Sequence, residues 1–375
     1  MRKVVGSAYT LTSMLKNEGA LDEVVELFME KLGGFADEQA AFDFGEWLEM
    51  FSFDGVGTVF FGSPFGFIKD SIDYGGYINA VHTAMPLNSV VAMAPLWLRP
   101  VILYGGIAVP RIFKAIMAAD GIRKTAVRVT EIAQARSTDS TSRRTDILSR
   151  ILSIKDERPG SLTINDVHVE MWGAVIAGSD STSGALRAIF YYLMKTPDTM
   201  TRLVKEIDAA FANGSLTHPI RYSQAIKLAY LDAVIQESLR VFPPFAVPMP
   251  RYAPAGGLEI SGHYLKSGTK IGMNAMVVQF NKEVFGEDAH KFRPERWLES
   301  KDRYRAMNKA MLVFGAGTRT CIGKHLSKAE MYKVVPEILR RFTVRMAHDQ
   351  PWKTRNATFI MQSNVVCRLE RRSDE

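Results

Sequence analysis

The chain has 375 residues, with 47 Lys+Arg against 40 Asp+Glu, a net charge of +7 and 47% hydrophobic residues. That length supports a large core, and the modest charge forms no basic stripe with exposed aromatics, so no nucleic-acid partner is expected. Two cysteines exclude a disulfide framework, and no uninterrupted run of ~20 apolar residues is present.

Helical periodicity dominates, beginning at Leu21 to Leu32 and Glu46 to Phe60. An apolar region from Ala84 to Met117 follows, broken by Pro86, Asn88, Pro95, Arg99, Pro100, Pro110 and Arg111. Burial is the default for such a segment. Ala94-Pro95-Leu96-Trp97-Leu98-Arg99 also fits a membrane surface, with an aromatic and leucines beside a cation. A helix is expected from Val109 to Gln134 and a long one from Ile164 to Lys195. Thr163 with Asp166 gives the latter a capping signal, and Pro197 stops it. It is apolar on most sides, hence central. Gly173, Gly178 and Gly184 weaken it intrinsically, which points to close packing of helices or of a ligand.

Further helices are expected at Asp198 to Phe211, Ala229 to Val241 and Lys324 to Phe342. Short strands are expected at Gly257 to Ser261, Lys270 to Met273, Phe342 to Met346, Thr358 to Met361 and Asn364 to Leu369. No linker, repeat or low-complexity stretch divides the chain, so residues 1–375 read as a single domain. Its class is mainly α with small β-sheets.

The chemistry concentrates in Phe314-Gly315-Ala316-Gly317-Thr318-Arg319-Thr320-Cys321-Ile322-Gly323. One cysteine sits in a glycine-bounded loop, two residues after an arginine and just before a helix. Glycines permit positive φ and close backbone approach. Backbone N–H groups at a helix start favour charge on the sulfur. Such a loop is suited to presenting a thiolate to an iron, and cysteine thiolate is one of the proximal haem ligands. Glu237-Ser238-Leu239-Arg240 places two charges on one face of a largely apolar helix. A buried pair needs further partners, and Phe292-Arg293-Pro294-Glu295-Arg296-Trp297 offers one.

With these motifs the chain resembles a cytochrome P-450, a haem-thiolate monooxygenase, of the eukaryotic microsomal type. Phe242-Pro243-Pro244 and Ala177 to Thr182 resemble filamentous-fungal members. The resemblance implies haem b with Cys321 as its axial ligand, and Phe314, Gly315, Gly317 and Gly323 shaping the loop. It implies Arg319 and Arg251 facing the propionates, and a buried ion triad of Glu237, Arg240 and Arg296. Ala177 and Gly178 would let haem and O₂ approach the central helix. Asp180, Ser181 and Thr182 would hold water and relay protons. Ser181 stands where the family usually has threonine. It keeps the hydroxyl but loses the methyl that fixes χ1. Thr182 points about 100° around the helix from it.

The resemblance also implies a small lipophilic substrate, a secondary-metabolite setting such as mycotoxin biosynthesis, and an endoplasmic-reticulum location. Electrons would come from an NADPH-dependent flavoprotein reductase, since no G-x-G-x-x-G follows a strand. Arg319, Lys324, His325, Lys328 and Lys333 would form its docking face, by electrostatic steering. Trp97 would mark a peripheral membrane contact. The resemblance begins around Met1, so the family's N-terminal anchor, first sheet and early helices are expected to be missing. Two other readings stay open: an inactive remnant, and a haem-thiolate isomerase or dehydratase that needs no external electrons.

Other chemistries find no motif. The seven histidines show no metalloprotease or two-His-one-carboxylate spacing and are expected to be surface or satisfied residues. No G-x-S-x-G elbow or P-loop occurs. Cys367 reads as a buried strand residue.

Overall fold

Three local signals fix the central helix. Thr163 accepts from the Asp166 N–H while Asp166 accepts from the Thr163 N–H, and Pro197 cannot continue the hydrogen-bond ladder. The computed structural model describes residues 1–137 and 145–372, and in it this helix runs Ile164–Lys195. It packs lengthwise on the Phe44–Phe61 helix. That helix is mostly apolar and buried almost throughout, as a helix inside a core is, with Glu49 and Asp54 among its buried residues. Asp43 caps its start, and Gly62, at φ 76°, closes it in the left-handed region.

Around this pair lie the helices Glu18–Asp37, Pro110–Ser137, Pro197–Ala212, Ala229–Val241 and Lys324–Arg341. The last begins two residues after the cysteine's own neighbour Ile322 and buries Leu326, Met331, Val334, Ile338 and Leu339. The sheets are small and antiparallel. Val366–Arg371 lies between Phe42–Asp43 and Phe342–Met346, with Phe42 opposite Cys367 and Val344 opposite Leu369. Arg251–Tyr252 pairs with Lys270–Ile271, Leu258–Ile260 with His263–Leu265, and Lys353–Ala357 with Phe359–Ser363. Mainly helical with small sheets is therefore the observed class, and Cys367 is a fully buried strand residue.

The region from Ala84 to Met117 departs from its default reading. It forms the end of the Tyr77–Met93 helix, with Pro86 inside it, then Arg99–Ile107 and the start of Pro110–Ser137. Several of its apolar side chains face outward: Leu96 is 69% exposed, Trp97 75%, Val101 63% and Tyr104 75%. Composition cannot separate a buried apolar segment from an exposed one, because both are selected by the same side chains. Among the described residues no single helix is long and apolar enough to cross a membrane.

Candidate functional site

The cysteine loop is built by backbone geometry. Gly315 (φ 68°) and Gly317 (φ 64°) are left-handed, which L side chains avoid. The Cys321 N–H closes the loop on the Phe314 carbonyl at 2.7 Å, and the Thr320 N–H reaches Gly317 O at 3.1 Å. Gly323 is the N-cap of the Lys324–Arg341 helix. The Cys321 side chain is free of any disulfide. It opens on a cavity of about 390 Å³. One side of the cavity is formed by Phe314, Gly315, Arg319, Ile322 and Gly323 with the cysteine. The other is the central helix at Gly173, Ala174, Ala177, Gly178, Ser181 and Thr182.

Burial pushes the Cys321 thiol up. Hydrogen bonds from the Gly323 and Lys324 N–H groups and the nearby charges of Arg2 and Lys324 act the other way. The donors anticipated from the helix start are thus present, but burial outweighs them.

The structure sorts the remaining expected residues. Arg319 lines the cavity, whereas Gly317 shapes the loop without reaching it. Arg251 is exposed, donates to the carbonyls of Met249 (3.2 Å) and Pro250 (3.1 Å), and is not part of the cavity wall. Gly178 lines the cavity, yet a Cβ there would meet Val56 Cγ2 at 2.8 Å, so helix packing requires this glycine. At Gly173 a Cβ would meet nothing within 4 Å. Ser181 Oγ donates to the Ala177 carbonyl at 2.7 Å, and Ser179 Oγ to Val175 O at 2.8 Å. Such back-bonding loosens the helix at the cavity. Thr182 is buried in the wall beside Glu330. Asp180 is not in the wall; it turns toward Glu49, Arg187 and His82.

Glu237, Arg240 and Arg296 do come together, each 0% exposed. Glu237 Oε1 accepts from Arg240 Nη2 (2.8 Å), Arg296 Nε (2.9 Å) and the Arg293 N–H (2.9 Å). Oε2 accepts from Arg240 Nε (2.8 Å) and Trp297 Nε1 (2.9 Å). Arg240 also donates to the carbonyls of Gln279 (2.9 Å) and Ala289 (2.7 Å). Arg296 Nη1 reaches Asp288 at 2.9 Å. Burial raises the Asp288 carboxyl, but hydrogen bonds from Arg293 and Arg296 outweigh it and hold it at about 2. The sequence motifs missed Trp297 Nε1, Asp288 and Gln279 as parts of this network. Only Trp297 carried a signal, as an indole whose N–H needs a partner when buried.

The model for the family described as Cytochrome P-450 matches residues 1–366. The chain belongs to the cytochrome P-450 family. It is 35% identical over 374 residues to cytochrome P-450 monooxygenase gsfF of Penicillium aethiopicum, covering 98% of this chain and 74% of that protein. It is 33% identical over 365 residues to pisatin demethylase of Fusarium vanettenii, covering 96% and 70%. The crystal structure of a cytochrome P-450 heme domain superposes with a TM-score of 0.81 at 16% identity, over 99% of this chain and 77% of that one. A second such crystal structure gives 0.81 at 21% identity, over 99% and 81%. This cytochrome P-450 is thus a monooxygenase of the haem-iron class, which uses O₂ and a redox partner. A free thiol opening on a mostly apolar cavity, glycines beneath it and Arg319 at its edge fit that group.

The basic face on the cysteine side changes in one respect. Lys333 is buried and paired with Glu18 (3.0 Å) and Asp22 (2.6 Å), so it is not available to a partner. Arg319, Lys324, His325 and Lys328 remain around the loop and the start of its helix.

Proposed function

We propose that this cytochrome P-450 holds haem b through Cys321 and oxidises a small lipophilic substrate, in a secondary-metabolite pathway. The observation that carries the reading is the free Cys321 sulfur at the mouth of an apolar cavity directly beneath the central helix. The bound group would supply iron chemistry for activating O₂. The chain's own residues supply the rest. Cys321 would be the thiolate ligand, its charge supported by the N–H groups of Gly323 and Lys324. Arg319 would meet a propionate.

The apolar wall from Gly173 to Ala177 would seat the substrate and exclude water. Ser181 and Thr182 would hold a proton-bearing hydroxyl at the cavity, and Asp180 would supply protons from behind it. Arg319, Lys324, His325 and Lys328 would steer an NADPH-dependent flavoprotein reductase. The outward-facing Leu96, Trp97, Val101 and Tyr104 favour a peripheral contact with the endoplasmic-reticulum membrane, since exposed apolar patches of this kind mark interaction surfaces.

Reductase dependence tests the reading. The haem-loaded chain is incubated with NADPH, a fungal flavoprotein reductase, ¹⁸O₂ and a panel of apolar aromatic compounds. One ¹⁸O atom in product, only when reductase is present, is the expected result. Turnover that proceeds without reductase or oxygen would identify an isomerase or dehydratase instead.

A further inference from the structure

Asp180 stands apart from its neighbours. Ala177, Gly178, Ser181 and Thr182 line the cavity, but the Asp180 carboxyl meets side chains from two other helices. One ligand atom each from Asp180, Glu49 and His82 lie within 4.8 Å of one another. Glu49 belongs to the Phe44–Phe61 helix and His82 to Tyr77–Met93. His82 Nε2 is 2.9 Å from Glu49 Oε1. The His82 side chain is 31% exposed and that of Glu49 1%, so the cluster leads from solvent to the central helix.

The charges decide who holds the proton. Arg187, two turns beyond Asp180, pairs with Glu49 Oε2 and donates twice to the Gly45 carbonyl, at 2.9 and 2.7 Å. One fixed cation is therefore committed to Glu49. Two carboxylates this close cannot both ionise against a single guanidinium. Burial raises the Glu49 carboxyl, but Arg187 and His82 outweigh it and hold it at about 2. Burial and then the Glu49 charge push Asp180 well above the usual range. Asp180 is the protonated member, and its Oδ1 is buried with no hydrogen-bond partner. The charged groups around it are Glu49 from one helix, His82 from the second, and Arg187 from its own. A divalent cation among the same three ligands would meet the Arg187 charge already in place.

We propose that His82, Glu49 and Asp180 form a proton relay from solvent to the central helix, with Arg187 holding Glu49 in position. It rests on the reading that Asp180 supplies protons toward the cavity. When the Asp180 carboxyl gives its proton away on that side, it becomes a carboxylate beside Glu49. The His82 imidazolium then transfers its Nε2 proton to Glu49 Oε1, and Glu49 passes a proton to Asp180. The neutral imidazole takes the next proton from water. One proton crosses the network and no electron moves. Histidine suits the outer end because its two ring nitrogens can take up a proton on one side and give one up on the other. Glu49 and His82 are positioning residues, since they act through Asp180.

Infrared spectroscopy of the full chain reads the relay without turnover. At neutral pH the wild type shows a carboxylic-acid C=O band that is missing from Asp180→Asn. In Glu49→Gln burial still holds Asp180 protonated, so the band persists, but its H-to-D exchange slows because the middle carrier is gone. In His82→Gln a polar side chain is kept but uptake is blocked. The band persists, and its H-to-D exchange slows about tenfold or more. Far-UV circular dichroism confirms that each variant is folded; if Glu49→Gln is not, the His82→Gln exchange rate alone decides.

Absence of the band in the wild type, or equally fast exchange in His82→Gln, overturns the relay. So does loss of the band on adding Zn²⁺ alone, which would make the cluster a metal site. Reductase-dependent oxidation is scored separately. A normal exchange signature in a chain that oxidises nothing overturns the function and leaves the relay standing; the converse overturns the relay alone.

Discussion

Replacing Glu237 by glutamine removes one charge and almost no volume from a network whose members are fully buried. The two Glu237 oxygens accept five hydrogen bonds, three on Oε1 and two on Oε2. An amide keeps one acceptor oxygen and turns the other into a donor, so two or three of the five become donor-to-donor contacts. Hydrogen bonds to charged groups contribute roughly 1.5–3 kcal/mol each. Two guanidinium groups, each 0% exposed, also lose their common counter-charge. Breaking a buried pair by removing one partner costs roughly 3–5 kcal/mol. The two effects describe the same loss and are not summed, so Glu237→Gln is expected to cost about 3–5 kcal/mol. Asp288 neutralises only part of the Arg296 charge. Total stabilities are roughly 5–15 kcal/mol, so the variant should be recovered poorly and unfold at much lower urea. Urea unfolding followed by far-UV circular dichroism measures it. A midpoint within error of the wild type would refute the assignment of Glu237 as the organising charge.

Three further outcomes follow from the site. Gly178→Ala brings a Cβ to 2.8 Å from Val56 and should cost about 1–3 kcal/mol, whereas Gly173→Ala meets open space and should gain up to about 1 kcal/mol from helix propensity. Thermal melts of both separate packing against a neighbour helix from exposure to the cavity. Glu330 is fully buried, and burial pushes its carboxyl well above the usual range. The folded chain therefore keeps a proton that the unfolded chain releases once pH exceeds the ordinary Glu value of about 4.3. Its cost is absent in acid and grows above that pH, so Glu330→Gln should raise the melting temperature at pH 7 and leave it unchanged near pH 4. Replacing Trp97 and Tyr104 together by serine should weaken binding to phospholipid vesicles, measured by co-sedimentation, without altering the melting temperature. Unchanged binding would remove the membrane contact from the proposal.

What could be read from the sequence was what local signals determine. The central helix and Ala229–Val241 have the expected bounds because caps, a proline stop and apolar periodicity all lie within the segments. Glu237 and Arg240 were legible because charges on an apolar helix demand partners, and Arg296 lay in a second motif. The partners that complete the network were not, because backbone carbonyls such as Gln279 O and Ala289 O leave no trace in residue types. The facing of Asp180 was equally hidden: it depends on Glu49 and Arg187, whose contact spans 138 positions. His82, expected to be a surface or satisfied histidine, is satisfied by Glu49 but shares its site with Asp180. The exposure of Trp97 and Tyr104 and the burial of Lys333 depend on tertiary placement, which periodicity does not encode. The two-residue strand Phe42–Asp43 exists only because the far end of the chain, Val366–Arg371, pairs with it.

The account's central claim is that Cys321 holds the haem iron. A reduced carbon-monoxide difference spectrum of the 375-residue chain, beside that of Cys321→Ala, tests it most directly. A strongly red-shifted Soret band in the wild type and none in Cys321→Ala is the predicted result. An unshifted band in the wild type, or the same red-shifted band in both, would contradict it.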